Sequence, residues 1–235
     1  MKNTKIGLIG YGSFGKFIDS HLSKYFEVSI FDPSYEKSLS LKEVCDCDYL
    51  IFAVTINNLE KVCKDAKKFV KTDTKIIDVT SVKIKPIKIL QKHFPKNEIL
   101  GTHPIFGPQS GKDGVQNLPI VLCNVSFSAK NYSLVKKFLT EKMELNILEK
   151  TAEQHDKEMA YVQGLSHFIG RALSMIKIEN FDSATKSYKQ LVSLENLLGG
   201  DSLDLYKTIQ NANPHAKKVR KEFLKTLNDL EKNTG

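Results

Sequence analysis

The strongest constraint on this chain lies in its first sixteen residues, where Ile6-Gly7-Leu8-Ile9 runs directly into Gly10-Tyr11-Gly12-Ser13-Phe14-Gly15-Lys16. Few folds accept a G-x-G-x-x-G run immediately after a short apolar segment. Gly10 permits a tight strand-to-helix turn, Gly12 lets backbone approach a diphosphate, Gly15 lets helix pack on strand, and the helix N-terminus faces the anion. The pattern predicts a strand over 5–9 and a helix over 14–24, with Phe14, Ile18 and Leu22 on one face. A second strand over 27–31 ends at Asp32, 22 positions after Gly10. A carboxylate there accepts hydrogen bonds from the adenosine ribose hydroxyls and repels a 2′-phosphate, so NAD is the expected cofactor rather than NADP. The plainer alternative is a glycine turn with a loop-capping Asp before Pro33, and strand, helix and acid together weigh against it.

Strand-like and helix-like segments continue to alternate: strands over 49–54, 75–79, 98–101, 118–123 and 144–148, helices over 59–70, 84–93 and 129–139. Alternation of this kind predicts an α/β fold, a Rossmann-type doubly wound and mostly parallel sheet. From Thr151 the strand signal stops. A long helix over 152–176, a linker over 178–183 and helices over 187–198, 202–210 and 214–231 predict a small all-helical domain. The expected division is a dinucleotide-binding domain over 1–150 and a helical substrate-binding and dimerisation domain over 151–235. The last helix carries the stripe Val219, Phe223, Leu227, Leu230. So short a helical tail cannot easily bury that stripe alone, which favours packing on the first domain and on a second copy.

Charge and cysteine content narrow the class. The formal charge is +8, yet arginine occurs only at 171 and 220, and the lysines are interleaved with acids throughout. Nucleic-acid surfaces favour arginine forks and local basic clusters, so the expected partner is an anionic small molecule and not a nucleic acid. Cys45, Cys47, Cys63 and Cys123 have no repeated metal-ligand spacing, so no metal is expected and the thiols read as reduced. No signal-peptide pattern precedes the first strand and the apolar runs are only strand-long, so a cytoplasmic protein without a membrane span is expected.

In an open α/β sheet the ligand lies beyond the carboxyl ends of the strands. The glycine-loop residues Gly10, Tyr11, Gly12, Ser13, Phe14 and Gly15, together with Asp32, Val54, Thr55 and Thr80, are the expected cofactor contacts. The 75–79 strand leads into Thr80-Ser81-Val82-Lys83, which places a hydroxyl and an ammonium at the crevice; Ser81 reads either as an orienting group or as a helix N-cap. The 98–101 strand leads into Thr102-His103-Pro104. An imidazole fixed there by proline can take the proton of a substrate hydroxyl as hydride leaves its carbon, and its ordinary pKa suits that task. On the 152–176 helix, Asp156, Gln163, His167, Arg171 and Ser174 form a polar stripe, with Ala160, Gly164 and Gly170 leaving it uncrowded. Met159, Val162, Leu165, Ile169, Leu173 and Ile176 form the opposing apolar stripe. His155 falls with the apolar residues and reads as structural.

These segments together resemble a known family. The glycine opening, Asp-Val-Thr-Ser-Val-Lys at 78–83, Gly-Thr-His-Pro-Ile-Phe-Gly-Pro-Gln-Ser-Gly at 101–111, Glu-Gln-His-Asp at 153–156 and Gln-Gly-Leu-Ser-His-Phe at 163–168 are similar to prephenate and arogenate dehydrogenases. Thr-Lys-Ser-Tyr-Lys-Gln-Leu at 185–191 resembles the plant-type arogenate enzymes in particular. The resemblance implies oxidation of a cyclohexadienol at C4 with loss of CO2, in tyrosine biosynthesis, by a homodimer built through its helical domain. It assigns His103 to the ring hydroxyl, Ser81 to a place beside it, and His167 to the substrate pocket. Many bacterial members carry Tyr-Arg where this chain has Tyr188-Lys189, so the substrate carboxylate falls to Lys189 or to Arg171, Lys83 or Lys112. Two other readings stay open: a β-hydroxyacid dehydrogenase, whose Gly-x-x-x-Lys stretch this chain lacks at Gly164, and a dinucleotide-binding redox sensor without chemistry.

Overall fold

The computed structural model describes residues 4–198 and 202–234, which separate into two compact units, Met1–Glu153 and Gln154–Gly235. The first holds a seven-stranded sheet in the order β2-β1-β3-β4-β5-β6-β7. Its strands are β1 (Lys5–Ile9), β2 (Glu27–Phe31), β3 (Tyr49–Phe52), β4 (Lys75–Asp78), β5 (Ile99–Pro104), β6 (Pro119–Asn124) and β7 (Asn146–Glu149). All pairings are parallel except β5 with β6. Helices α1 (Ser13–Leu22), α3 (Ile56–Ala66), α4 (Ile84–His93) and α5 (Ala129–Glu141) are the crossovers. The strands are short apolar runs because both sheet faces are covered; Leu8, Leu50, Phe52, Ile76, Leu100 and Leu122 are fully buried.

Two details differ from expectation. A short helix α2 (Leu41–Val44) forms where none was foreseen, through a capping box in which Ser40 Oγ accepts from Glu43 N and the Glu43 carboxylate accepts from Ser40 N. Strand β5 runs on to Pro104, so His103 lies inside the strand and not in the loop after it, because antiparallel β6 pairs with Thr102, His103 and Pro104. Beneath α1 and α5 lies an apolar cavity of about 400 Å³, lined by residues such as Ile6, Phe17, Ile51, Ile77, Phe138 and Leu139. Its lining has no Lys, Arg, Asp or Glu.

The second unit is helical. The expected 152–176 helix is instead α6 (Ala152–Met159), a π-helix (Ala160–Leu165) and α7 (Ser166–Ile176), followed by α8 (Lys186–Leu198), α9 (Leu203–Ala212) and α10 (Ala216–Thr234). The wider π-turn changes the angular phase between α6 and α7, so a single 100° stripe does not survive along the segment. Val162 and Ile176, expected on the buried apolar face, are 52% and 70% exposed, whereas Asp156, Ala160, Gly164, His167 and Gly170 are buried. The small residues do not leave open space either. A Cβ on Gly170 would come within 2.9 Å of Leu198 Cβ, so this glycine lets α8 lie close on α7. No described helix is long and apolar enough to cross a membrane.

Candidate active site

The glycine loop has the geometry its sequence promised. Gly10 sits at φ +100°, and a Cβ there would lie 2.6 Å from the Ala53 carbonyl oxygen. A Cβ on Gly15 would lie 2.1 Å from the Gly10 carbonyl oxygen, so only glycine lets α1 start that close to β1. A Cβ on Gly12 would meet no atom within 4 Å. Gly12 is the N-cap of α1, and no side chain caps the helix there.

Asp32, at the end of β2, points back to this loop. Its Oδ2 accepts from Tyr11 N at 2.6 Å, and its Oδ1 accepts from Ser34 N at 2.9 Å and from Ser34 Oγ at 2.6 Å. Partial burial pushes its carboxyl upward, but the Ser34 hydroxyl, the Tyr11 and Ser34 amides and the nearby Lys16 outweigh that and hold it below the ordinary aspartate range. The result is a carboxylate favoured in its ionised form, bonded to the backbone of the glycine turn. Tyr35 packs against Tyr11 with ring centroids 4.3 Å apart and planes tilted by 40°. Sequence alone does not reveal this ring pair; its one signal is a tyrosine three positions after Asp32. Val54 flanks Gly10, and Thr55 is the N-cap of α3 without a side-chain cap bond.

At the neighbouring strand tips the turn after β4 is tied together by Asp78. Its Oδ1 accepts from Thr80 N at 3.1 Å and its Oδ2 from Thr80 Oγ1 at 3.2 Å, while Thr80 Oγ1 also bonds to Val82 O. Thr80 is therefore a buried turn-former. Ser81 is half-buried in the same turn and is not an N-cap, since Lys83 holds that position of α4. Lys83 corrects a second expectation. Its ammonium is no crevice cation: it is fully buried, ion-paired with Asp78, and donates to Thr102 O at 2.6 Å. His103 follows on β5, with only 4% of its surface exposed.

In the helical unit, Gln163 is half-buried on the π-helix and His167 is buried on α7. The Arg171 guanidinium lies 5.7 Å from the Tyr206 ring centroid, a cation–π contact. Lys189 is exposed on α8. The π-turn is latched from behind. Gln210 Nε2 donates to Gly164 O at 2.7 Å, Arg220 Nη1 donates to Gln210 O and Oε1, and Asn213 Nδ2 donates to Asp156 O at 2.8 Å. His155 Nδ1 and Asp156 Oδ1 share a buried hydrogen bond of 2.7 Å, which fits a structural role. Gln210, Asn213 and Arg220 gave no sequence signal, because their partners lie 46, 57 and 10 positions away.

The cysteines form no disulfide. Burial pushes the Cys45 thiol up to about 11 and the Cys47 thiol up to about 12, so neither is poised as a nucleophile. Among the described residues no cluster of His, Cys, Asp and Glu could hold a metal ion.

Known proteins share much of this sequence and fold. Residues 24–151, more than half of the chain, match the family model described as "Prephenate dehydrogenase, nucleotide-binding domain", and residues 172–234 match "TYRAAT1-like, C-terminal domain". The chain is 30% identical over 241 residues to arogenate dehydrogenase 1, chloroplastic, from Arabidopsis thaliana, covering 93% of this chain and 37% of that protein. It is 27% identical over 264 residues to a probable arogenate/prephenate dehydrogenase from Methanocaldococcus jannaschii, covering 99% of this chain and 58% of that protein. The chain thus spans between about a third and two thirds of the length of such curated relatives. Its fold is that of a prephenate dehydrogenase from A. aeolicus crystallised with hydroxyphenyl propionate and NAD+, with a TM-score of 0.79, 19% identity, and coverage of 99% of this chain and 91% of that one. An arogenate dehydrogenase from Synechocystis matches with a TM-score of 0.71, 18% identity, and coverage of 98% and 92%. A nucleotide-binding domain matched over more than half the chain, on a fold these enzymes share, means that the chain belongs to the prephenate dehydrogenase family.

Proposed function

We propose that this chain is an NAD-dependent dehydrogenase that oxidatively decarboxylates prephenate, arogenate or both, in tyrosine biosynthesis. The observation that carries the reading is a buried imidazole, His103, on the interior strand β5 of a sheet whose first turn leaves space beside Gly12 for a diphosphate. The residues present fit the dinucleotide. Amides at the start of α1 and the space beside Gly12 suit the diphosphate, and the ionised Asp32 suits two ribose hydroxyls while repelling a 2′-phosphate. Tyr11, Ser13, Phe14, Val54, Thr55 and Thr80 are assigned to the same ligand. The A. aeolicus relative, crystallised with NAD+, supports the choice.

Once bound, the cofactor supplies the hydride acceptor. His103 accepts the proton of the C4 hydroxyl as the C4–H bond breaks, and the ring carboxylate departs as CO2 so that the ring becomes aromatic. Ser81 is assigned, from the family resemblance, to orienting the histidine. His167 and Gln163 are assigned to the substrate pocket, and Arg171 and Lys189 to the carboxylate that is retained. Lys83 is removed from that role by its ion pair with Asp78. We assign dinucleotide binding to residues 1–150, and substrate binding and dimerisation to 151–235. A cytoplasmic homodimer is supported by the free thiols and by α10, where Leu227 and Leu230 are 44% and 56% exposed within one chain. Steady-state assays with prephenate and arogenate, each with NAD and NADP, test the proposal. Turnover with NAD and at least one of the two substrates is expected; NAD binding without turnover of either would make the chain a dinucleotide sensor instead.

A further inference from the structure

The buried pair Asp78–Lys83 sits where the sheet's own bonding runs out. Strand β4 pairs with β5 only as far as Asp78 opposite Gly101, whereas on its other edge β5 pairs with β6 through Thr102, His103 and Pro104. The segment carrying the imidazole therefore has a ladder on one side only. On the other side two bonds replace the missing strand: Thr102 Oγ1 donates to Asp78 O at 2.9 Å, and Lys83 Nζ donates to Thr102 O at 2.6 Å while pairing with the Asp78 carboxylate. Gly101 makes room for this. A Cβ there would lie 3.0 Å from Ile87 Cδ1 and 3.2 Å from Lys83 Cδ, so glycine lets the lysine stem cross β5.

We propose that Lys83 and Asp78 are positioning residues, a charged staple that takes the place of a strand and sets the depth and direction of the His103 imidazole. A buried ion pair adds little net stability against an apolar pair of the same volume, but it fixes one arrangement of the groups it ties together. Here those groups are the peptide immediately before the proposed base. A misplacement of the order of 1 Å costs about 100-fold in rate. The proposal rests on the reading of His103 as the base, so its test includes a measurement that needs no turnover.

The test is the double variant Asp78→Asn/Lys83→Met, which keeps side-chain volume and removes both charges together. It is expected to lower kcat about 100-fold, with KM and the Kd for NADH within about threefold of wild type. In protein labelled at histidine, the His103 ring signal, assigned by its absence in His103→Asn, should broaden or split in the NMR spectrum while the other five histidines stay in place. If the double variant does not fold, Thr102→Val removes the other half of the staple and should lower kcat about tenfold with the same unchanged KM. An unmoved His103 signal with kcat within twofold of wild type overturns the proposal. So does a Thr102→Val variant that keeps kcat within twofold of wild type with its His103 signal in place. If wild type turns over neither substrate, the catalytic reading fails, while the NMR comparison still decides whether the staple holds His103.

Discussion

The glycine loop makes one prediction whose two halves pull apart. Gly12→Ala and Gly15→Ala both add one methyl group to the same turn, yet the structure assigns them opposite costs. At Gly15 the new carbon would sit 2.1 Å from a backbone oxygen, more than 1 Å inside normal contact, and the oxygen belongs to Gly10, itself pinned against Ala53. Neither backbone segment can yield without disturbing β1 or β3. Overpacking of this kind costs about 3 kcal/mol at the upper end of its usual range. For a chain of this size that is a fall in Tm of about 6–12 °C. At Gly12 the methyl meets nothing, and the backbone, φ −67° and ψ −170°, suits any residue. Replacing an N-cap glycine by alanine costs well under about 1 kcal/mol, and the loss of unfolded-state freedom offsets part of it, so Tm should move by about 2 °C or less. The methyl would, however, occupy the space left for the diphosphate. Losing one or two charge-assisted hydrogen bonds of about 1.5–3 kcal/mol each weakens binding by at least about tenfold and up to about 20,000-fold. Thermal unfolding without ligand and fluorescence titration with NADH read the two effects separately. If Gly12→Ala binds NADH as wild type does, or unfolds as early as Gly15→Ala, the assignment of this turn is wrong.

Three further outcomes are expected. NAD should exceed NADP in kcat/KM, and Asp32→Ser should narrow the gap by removing a carboxylate held ionised by the Tyr11 and Ser34 donors; a wild-type preference for NADP would remove Asp32 from the ribose. His103→Asn should lower kcat by roughly two to four orders of magnitude while NADH affinity holds, and near-normal turnover would assign the base elsewhere. Light scattering at micromolar concentration should give the mass of a dimer, and Leu227→Glu/Leu230→Glu should reduce it to that of a monomer; an active wild-type monomer would contradict the assembly.

What could be read without a structure was local. Residues 5–9, 27–31 and 84–93 are the observed β1, β2 and α4, because period, composition and punctuation act within a few positions of each other. The glycine loop was legible because its spacing is a local pattern: Gly10 takes a positive φ at the turn, Gly15 meets the Gly10 carbonyl five positions before it, and Asp32 belongs to the same β-α-β unit. Everything that depended on a distant partner was decided by the tertiary structure. His103 looked like a loop residue until antiparallel β6 extended β5 around it. Lys83 looked like a free cation for a substrate carboxylate, since no pattern in 78–83 shows that its ammonium is enclosed between Asp78 and the Thr102 carbonyl. The uninterrupted helix expected over 152–176 failed at the π-turn, which Gln210 and Arg220 hold from α9 and α10, and with it failed the assignment of polar and apolar faces. The physical reason is the same in each case. Periodicity reports which residues avoid water along one element, while the direction of a polar side chain is set by the donor or acceptor that meets it, and that group arrives from elsewhere in the chain.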